Sequence, residues 1–278
     1  MSRFIHGDNI KGKIRSEKDA AQKELLAEIK SKYDEWKRDN LAITDVKKAD
    51  ITKKAALLNA YKDFIGQPKF RKEEGRNVGF SAQSKLHSTV MEEFLYYLFK
   101  DISCLVGKTL EFGSVKAYSN MYFAPPNIDG FEKEPNLIIN VKDQDFSISK
   151  KIDIESKVSA GNQWIPKVIY VPIVSIECKT YLDKTMFESG AATAEKIKKG
   201  NPYCMYLIVT ETYEISADMD PRYSDINQIY VMRKQKRRNR GIKPINADLV
   251  YDLFQDVETH LNSDWHNVDS KIEQGKMI

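Results

Sequence analysis

An almost unbroken apolar run, Val168-Ile169-Tyr170-Val171-Pro172-Ile173-Val174-Ser175-Ile176, leads straight into Glu177-Cys178-Lys179. Such a run reads as a β-strand buried on most of both faces. Burial penalises unpaired charge, so a carboxylate and an ammonium closing this strand need a purpose. Side chains alternate across a strand. Glu177 and Lys179 therefore share one face, and Cys178 points to the other as a small packing residue. A carboxylate that can hold a divalent cation, beside a lysine that can meet a phosphate or a water, is half of a phosphodiester-cleaving site.

The surrounding pattern supplies the frame. Ser16 reads as the cap of a helix over 16–38, and a second apolar-periodic stretch covers 52–65 and stops at Gly66-Gln67-Pro68. Residues 1–68 thus read as an N-terminal helical subdomain, serving DNA binding or dimerisation. A polar, glycine-bearing connector (68–81) and a helix over 84–101 follow. From about 109 the texture is β, broken at Pro125-Pro126-Asn127, with strands at 137–141, 145–158 and 167–179. A helix over 183–199 ends at Gly200-Asn201-Pro202, a strand covers 203–210, and Asn246 caps a last helix through Leu261. Residues 69–278 are then an α/β unit with a mixed central sheet flanked by helices. The helix between strands 167–179 and 203–210 makes those two strands parallel.

A second acid must converge on Glu177. Ser159-Ala160-Gly161-Asn162-Gln163 has a turn composition. A hairpin centred on Gly161 sets Phe146 opposite Ile176, Ile148 opposite Val174, Ile152 opposite Tyr170 and Ile154 opposite Val168, all apolar on apolar. The same register sets Asp145 opposite Glu177, with Cβ atoms roughly 4.5–5.5 Å apart. Asp143 and Asp153 are the alternatives under other turn placements, and Asp129, at a strand mouth, could reach in. Glu92 and Glu93 flank the apolar arc of helix 84–101, and one of them, with Glu93 the accessory candidate, could face the site.

The net charge is only +4, but seven cations and no acid fall in the eleven residues from Arg233 to Lys243. A solvated loop would look the same. Beside a phosphodiester site, Lys234, Lys236, Arg237, Arg238 and Arg240 become candidates for contact with a DNA backbone. The four histidines are dispersed, which argues against zinc, and glycine-rich phosphate loops are absent. Three scattered cysteines, no signal peptide and no apolar stretch long enough to span a bilayer point to a cytoplasmic protein.

An Asp, an antiparallel hairpin, Glu-x-Lys on its second strand, a crossover helix and another strand resemble the PD-(D/E)xK nuclease core. That pattern is short. A longer string is more specific: Val174-Ser175-Ile176-Glu177-Cys178-Lys179-Thr180-Tyr181-Leu182-Asp183-Lys184-Thr185-Met186, then Ala194-Glu195-Lys196 and Gly200-Asn201-Pro202. It resembles type II restriction endonucleases related to BbvCI, over about Leu86 to Phe254, with residues 1–68 matching less clearly. The resemblance implies a Mg²⁺-dependent endonuclease acting on double-stranded DNA at pseudo-palindromic sites of the CCTNAGC kind. It implies two nuclease subunits with one active site each, the partner being a different chain or a second copy. Family roles fall on Glu177 and Lys179 directly. They fall on Asp145 with one departure, since Gln144 stands where the pattern has Pro. A catalytically silent DNA-binding subunit and a structure-selective nuclease such as a junction resolvase are the competing classes.

Overall fold

The computed structural model describes residues 3–72, 79–80, 85–159, 163–216 and 219–275. The turn at Gly161, the middle of the polar connector and Ser84 lie outside them.

Five strands form one sheet in the order β1 (Glu111–Phe123), β2 (Leu137–Ser156), β3 (Ile165–Leu182), β4 (Met205–Tyr213) and β5 (Gln228–Val231). The expected strands at 137–141 and 145–158 are thus one continuous β2. This long strand changes partners along its length. Its first part pairs antiparallel with β1, and from Phe146 onward it pairs antiparallel with β3. β3 runs on past the point where β2 departs and pairs parallel with β4, as the crossover pattern predicts, and β4 pairs parallel with β5.

Helices cover both faces. Four come before the sheet: α1 (Ile5–Ser16), α2 (Ala20–Ala42), α3 (Lys48–Ile65) and α4 (Lys85–Phe99). The short α5 (Ile102–Val106) and α6 (Ile128–Lys133) flank β1. The crossover helix α7 (Lys184–Gly200) follows β3, and α8 (Ala247–Asn262) and α9 (Val268–Gln274) end the described chain. One continuous core joins Leu26 of α2, Leu58 of α3, Phe94 of α4 and Phe254 of α8 to Phe146, Ile176 and Val209 of the sheet. The opposite face packs Phe187, Ala194 and Ile197 of α7 on Ala117, Tyr206 and Ile208. No helix among the described residues is long and apolar enough to cross a membrane.

Two expectations need correction. Ser16 does not cap a helix. It closes α1, bonding back to Lys13 O at 3.2 Å, while Asp19 caps α2 by accepting from Gln22 N at 2.9 Å. α1 hides in the sequence because it carries two glycines, which are poor helix formers. Gly7 is there for packing: a Cβ on it would lie 2.2 Å from the Tyr33 hydroxyl oxygen. The hairpin register holds at Phe146↔Ile176 and Ile148↔Val174, then shifts, so that Ile152 faces Ile169 and Ile154 faces Lys167. The shift passes over Ile173 beside Pro172, which has no N–H to give the ladder. A bulge accommodates the extra residue there.

Candidate active site

The site forms where β2 leaves β3. Pairing between them stops at Phe146↔Ile176. On its other side β2 slips register against β1 between Gln144 and Ser147, three β2 steps opposing two on β1. Bulges of this kind bend a strand and re-aim its side chains. Asp145 lies inside the slip. Its Oδ2 accepts the backbone N–H of Cys178 at 2.8 Å, a side chain standing in for a missing ladder partner. Its Oδ1 accepts no hydrogen bond from the described residues.

Glu177 is held on three sides. The Tyr206 hydroxyl on β4 donates to its Oε2 at 2.7 Å. Lys179 Nζ lies 2.6 Å from its Oε1. On α7, a Cβ added to Gly190 would sit 3.2 Å from Oε2 and 2.9 Å from Ile208 Cδ1, so the helix approaches this closely only through a glycine. Asp145, bonded to the residue between Glu177 and Lys179, lies near enough to feel both of their charges, and Cys178 turns into the opposite core.

Burial pushes the Asp145 carboxyl above the usual carboxylate range, against the opposing pull of the Cys178 N–H and Lys179, and the Glu177 charge adds to the rise. Burial alone would lower Lys179. The charge and hydrogen bond of Glu177 outweigh it and hold the ammonium above the ordinary lysine value. Burial, then Glu177, raises Tyr206, which stays a protonated donor. Burial holds Cys178 as a thiol, which fits packing and not nucleophilic chemistry.

Asp145 and Glu177 are the residues that could hold a divalent cation. Their oxygens suit a hard ion. Among the described residues no group of three or more His, Cys, Asp and Glu gathers at one point. Two carboxylates match Mg²⁺, which keeps several waters and uses one or two carboxylates.

The other candidate acids lie elsewhere. Asp153 sits eight residues along β2 from Asp145, about 26 Å at strand rise, exposed beside Lys151. Asp129 lies in exposed α6, beyond the far end of β1. Asp143 is exposed opposite Lys116. Glu93 is fully buried in the helical layer, accepting from Tyr33 Oη at 2.8 Å, from Gly7 N at 3.0 Å and from Tyr97. Its neighbour Glu92 is the one whose charge reaches Cys178.

The basic segment is partly spent on structure. Arg233 is buried and pairs with Glu211 at 2.8 Å, and Lys62 of α3 pairs with the same carboxylate at 2.6 Å. Arg237 stacks 3.7 Å over the Tyr181 ring and shares Glu214 with Arg238. Lys234, Lys236 and Arg240 are exposed and make no ion pair within 4 Å among the described residues. Sequence reasoning missed Tyr206 and Gly190. Within Met205-Tyr206-Leu207 the tyrosine reads as one more packing residue, and no local signal marks its hydroxyl.

A family model, Bpu10I restriction endonuclease, matches residues 83–247. The chain belongs to the Bpu10I restriction endonuclease family. The matched stretch contains Asp145, Glu177, Lys179, Gly190 and Tyr206 together with the whole basic segment. Among solved structures, the chain is similar to one described as "native BbvCI A2B2 tetramer at low resolution", with a TM-score of 0.68 and 18% identity over 95% of this chain and 99% of that one. At that identity the likeness shows the fold, an α/β restriction-endonuclease-like sheet flanked by helices. No curated protein matches the chain.

Proposed function

We propose that this chain is a type II restriction endonuclease subunit that hydrolyses DNA phosphodiester bonds with Mg²⁺ at a short double-stranded site. The observation that carries the reading is the convergence of Asp145, Glu177 and Lys179 at the β2–β3 parting, in a chain of a restriction endonuclease family.

Asp145 and Glu177 would hold Mg²⁺, which when bound supplies positive charge against the phosphate oxygens. Tyr206 and Gly190 keep the Glu177 carboxylate in place. Lys179 balances Glu177 before DNA arrives and, as a permanent ammonium, is available to a phosphate oxygen or to the attacking water. Water adds in line to phosphorus and the P–O3′ bond breaks, leaving a 5′-phosphate and a 3′-hydroxyl.

One such cluster cuts one strand. Cutting a duplex then takes a second nuclease subunit, a different chain or another copy of this one, and the structurally similar BbvCI is described as an A2B2 tetramer. The intact acid pair and lysine favour an active subunit over a silent DNA-binding partner. A reducing cytoplasm suits the three free cysteines.

Plasmid digestion tests the reading. Discrete fragments in Mg²⁺ that vanish with EDTA and with Glu177→Ala support it. Unchanged plasmid, even with every candidate partner chain added, overturns it. Cuts at one DNA shape regardless of sequence would replace it with a structure-selective nuclease.

A further inference from the structure

A cleft of about 600 Å³ opens at the ends of β3 and β4, between the corner after α3 and the segment after β5. Thr180 and Tyr181, the two residues that follow Lys179, line it. Its charge is one-sided. Lys62, Arg71, Lys72, Arg233 and Arg237 line it, against the single acid Glu211. Lys62 and Arg233 are buried and already engaged with Glu211. Arg71, Lys72 and Arg237 are exposed at the wall. His87, also in the lining, adds no charge near neutral pH, since burial pushes its pKa down to about 4.

We propose that this cleft is the track for the DNA strand adjoining the scissile phosphate, with Arg71, Lys72 and Arg237 each contacting a backbone phosphate. The proposal rests on the nuclease reading. Its geometry is independent of which acid binds metal. Tyr181 lies two residues past Lys179, about 7 Å along the strand. That is about one phosphate-to-phosphate step along a DNA strand. Arg237 is held flat on the Tyr181 ring at 3.7 Å, so little freedom is lost when it takes a phosphate. The ion triad Lys62–Glu211–Arg233 fixes the two walls to each other, joining α3 to the segment after β5. The N-terminal helical part thereby supplies half of a phosphate cleft, and Pro68 to Lys72 is more than a connector. Phosphate contacts of this kind set position and register and carry no sequence information.

The test is fluorescence anisotropy of a 30-base-pair mixed-sequence duplex in EDTA, across a salt series. Each of Arg71→Ala, Lys72→Ala and Arg237→Gln should weaken binding to all sequences alike and reduce the slope of log K against log salt by about 0.9. Lys133→Ala, on distant α6, should leave both unchanged. Unaltered slopes in all three cleft variants, with melting temperatures like wild type, overturn the proposal, as does a wild type that binds no duplex. Cleavage in Mg²⁺ is read separately. A wild type that shows the slopes but cuts nothing, even with every candidate partner chain added, refutes the nuclease reading and leaves the cleft standing. One that cuts with unaltered variant slopes does the reverse.

Discussion

The backbone N–H of Cys178 donates to Asp145 Oδ2 at 2.8 Å, so a carboxylate closes the gap where β2 parts from β3. The bond ties the proposed metal ligand to the strand that carries Glu177 and Lys179. A raised carboxylate pKa means that the folded chain binds this proton more readily than the unfolded one. The ionised carboxylate therefore costs stability, which falls as pH rises from the ordinary carboxylate value through the raised one. Asparagine keeps an acceptor for Cys178 N–H and removes the buried charge. Asp145→Asn should melt at or above the wild-type temperature in EDTA at pH 7, while cleavage falls by about 10²-fold or more. Differential scanning fluorimetry beside a nicking assay checks both; a marked drop in melting temperature would contradict this account of Asp145.

Tyr206 and Gly190 fix where Glu177 points. A hydrogen bond to a charged group contributes about 1.5–3 kcal/mol, so Tyr206→Phe should loosen the carboxylate by that order. Gly190→Ala places a methyl against Oε2 and Ile208. Both variants should need about tenfold or more Mg²⁺ for half-maximal cleavage, measured on supercoiled plasmid. A Mg²⁺ requirement identical to wild type in both would show that Glu177 does not depend on them.

Much of this arrangement was legible in the sequence because it follows from strand periodicity. Glu177 and Lys179 share a face by alternation, and the apolar pairs Phe146–Ile176 and Ile148–Val174 hold as read, but the expected pair Asp145–Glu177 does not form: the ladder ends at Phe146↔Ile176 and Asp145 accepts from the Cys178 N–H instead. The register failed one residue further on, because Pro172 withholds an N–H and a bulge absorbs the mismatch, a consequence that apolar matching does not register. Helix phase left Glu92 and Glu93 equivalent. Only the packed tyrosines Tyr33 and Tyr97 show that Glu93 belongs to the helical core. The cation run suggested five surface contacts. Long-range pairing to Glu211 and Glu214, invisible in a linear reading, commits Arg233 to the core and engages Arg237 and Arg238.

Glu211 is the keystone of the cleft floor. Burial would raise its pKa, but Lys62 and Arg233 hold it below the usual carboxylate range. A lowered carboxylate contributes stability that is fully present above the unfolded value and lost as pH falls through the folded one. Glu211→Gln leaves two buried cations facing a neutral group and should cost about 3–5 kcal/mol at pH 7. Urea unfolding should show the gap to wild type closing as pH drops below the ordinary carboxylate range. A gap that stays constant with pH would mean that the triad does not carry this stability.

The central claim is that Asp145 and Glu177 hold one divalent cation between them. Mn²⁺ in place of Mg²⁺, with the free ion counted by its spin-resonance signal, measures this directly on wild type, Asp145→Asn and Glu177→Gln without DNA. The account predicts one saturable site in the wild type and binding weakened more than about tenfold in each variant, the scale of about 1.4 kcal/mol. Equal Mn²⁺ binding in all three folded proteins would contradict it.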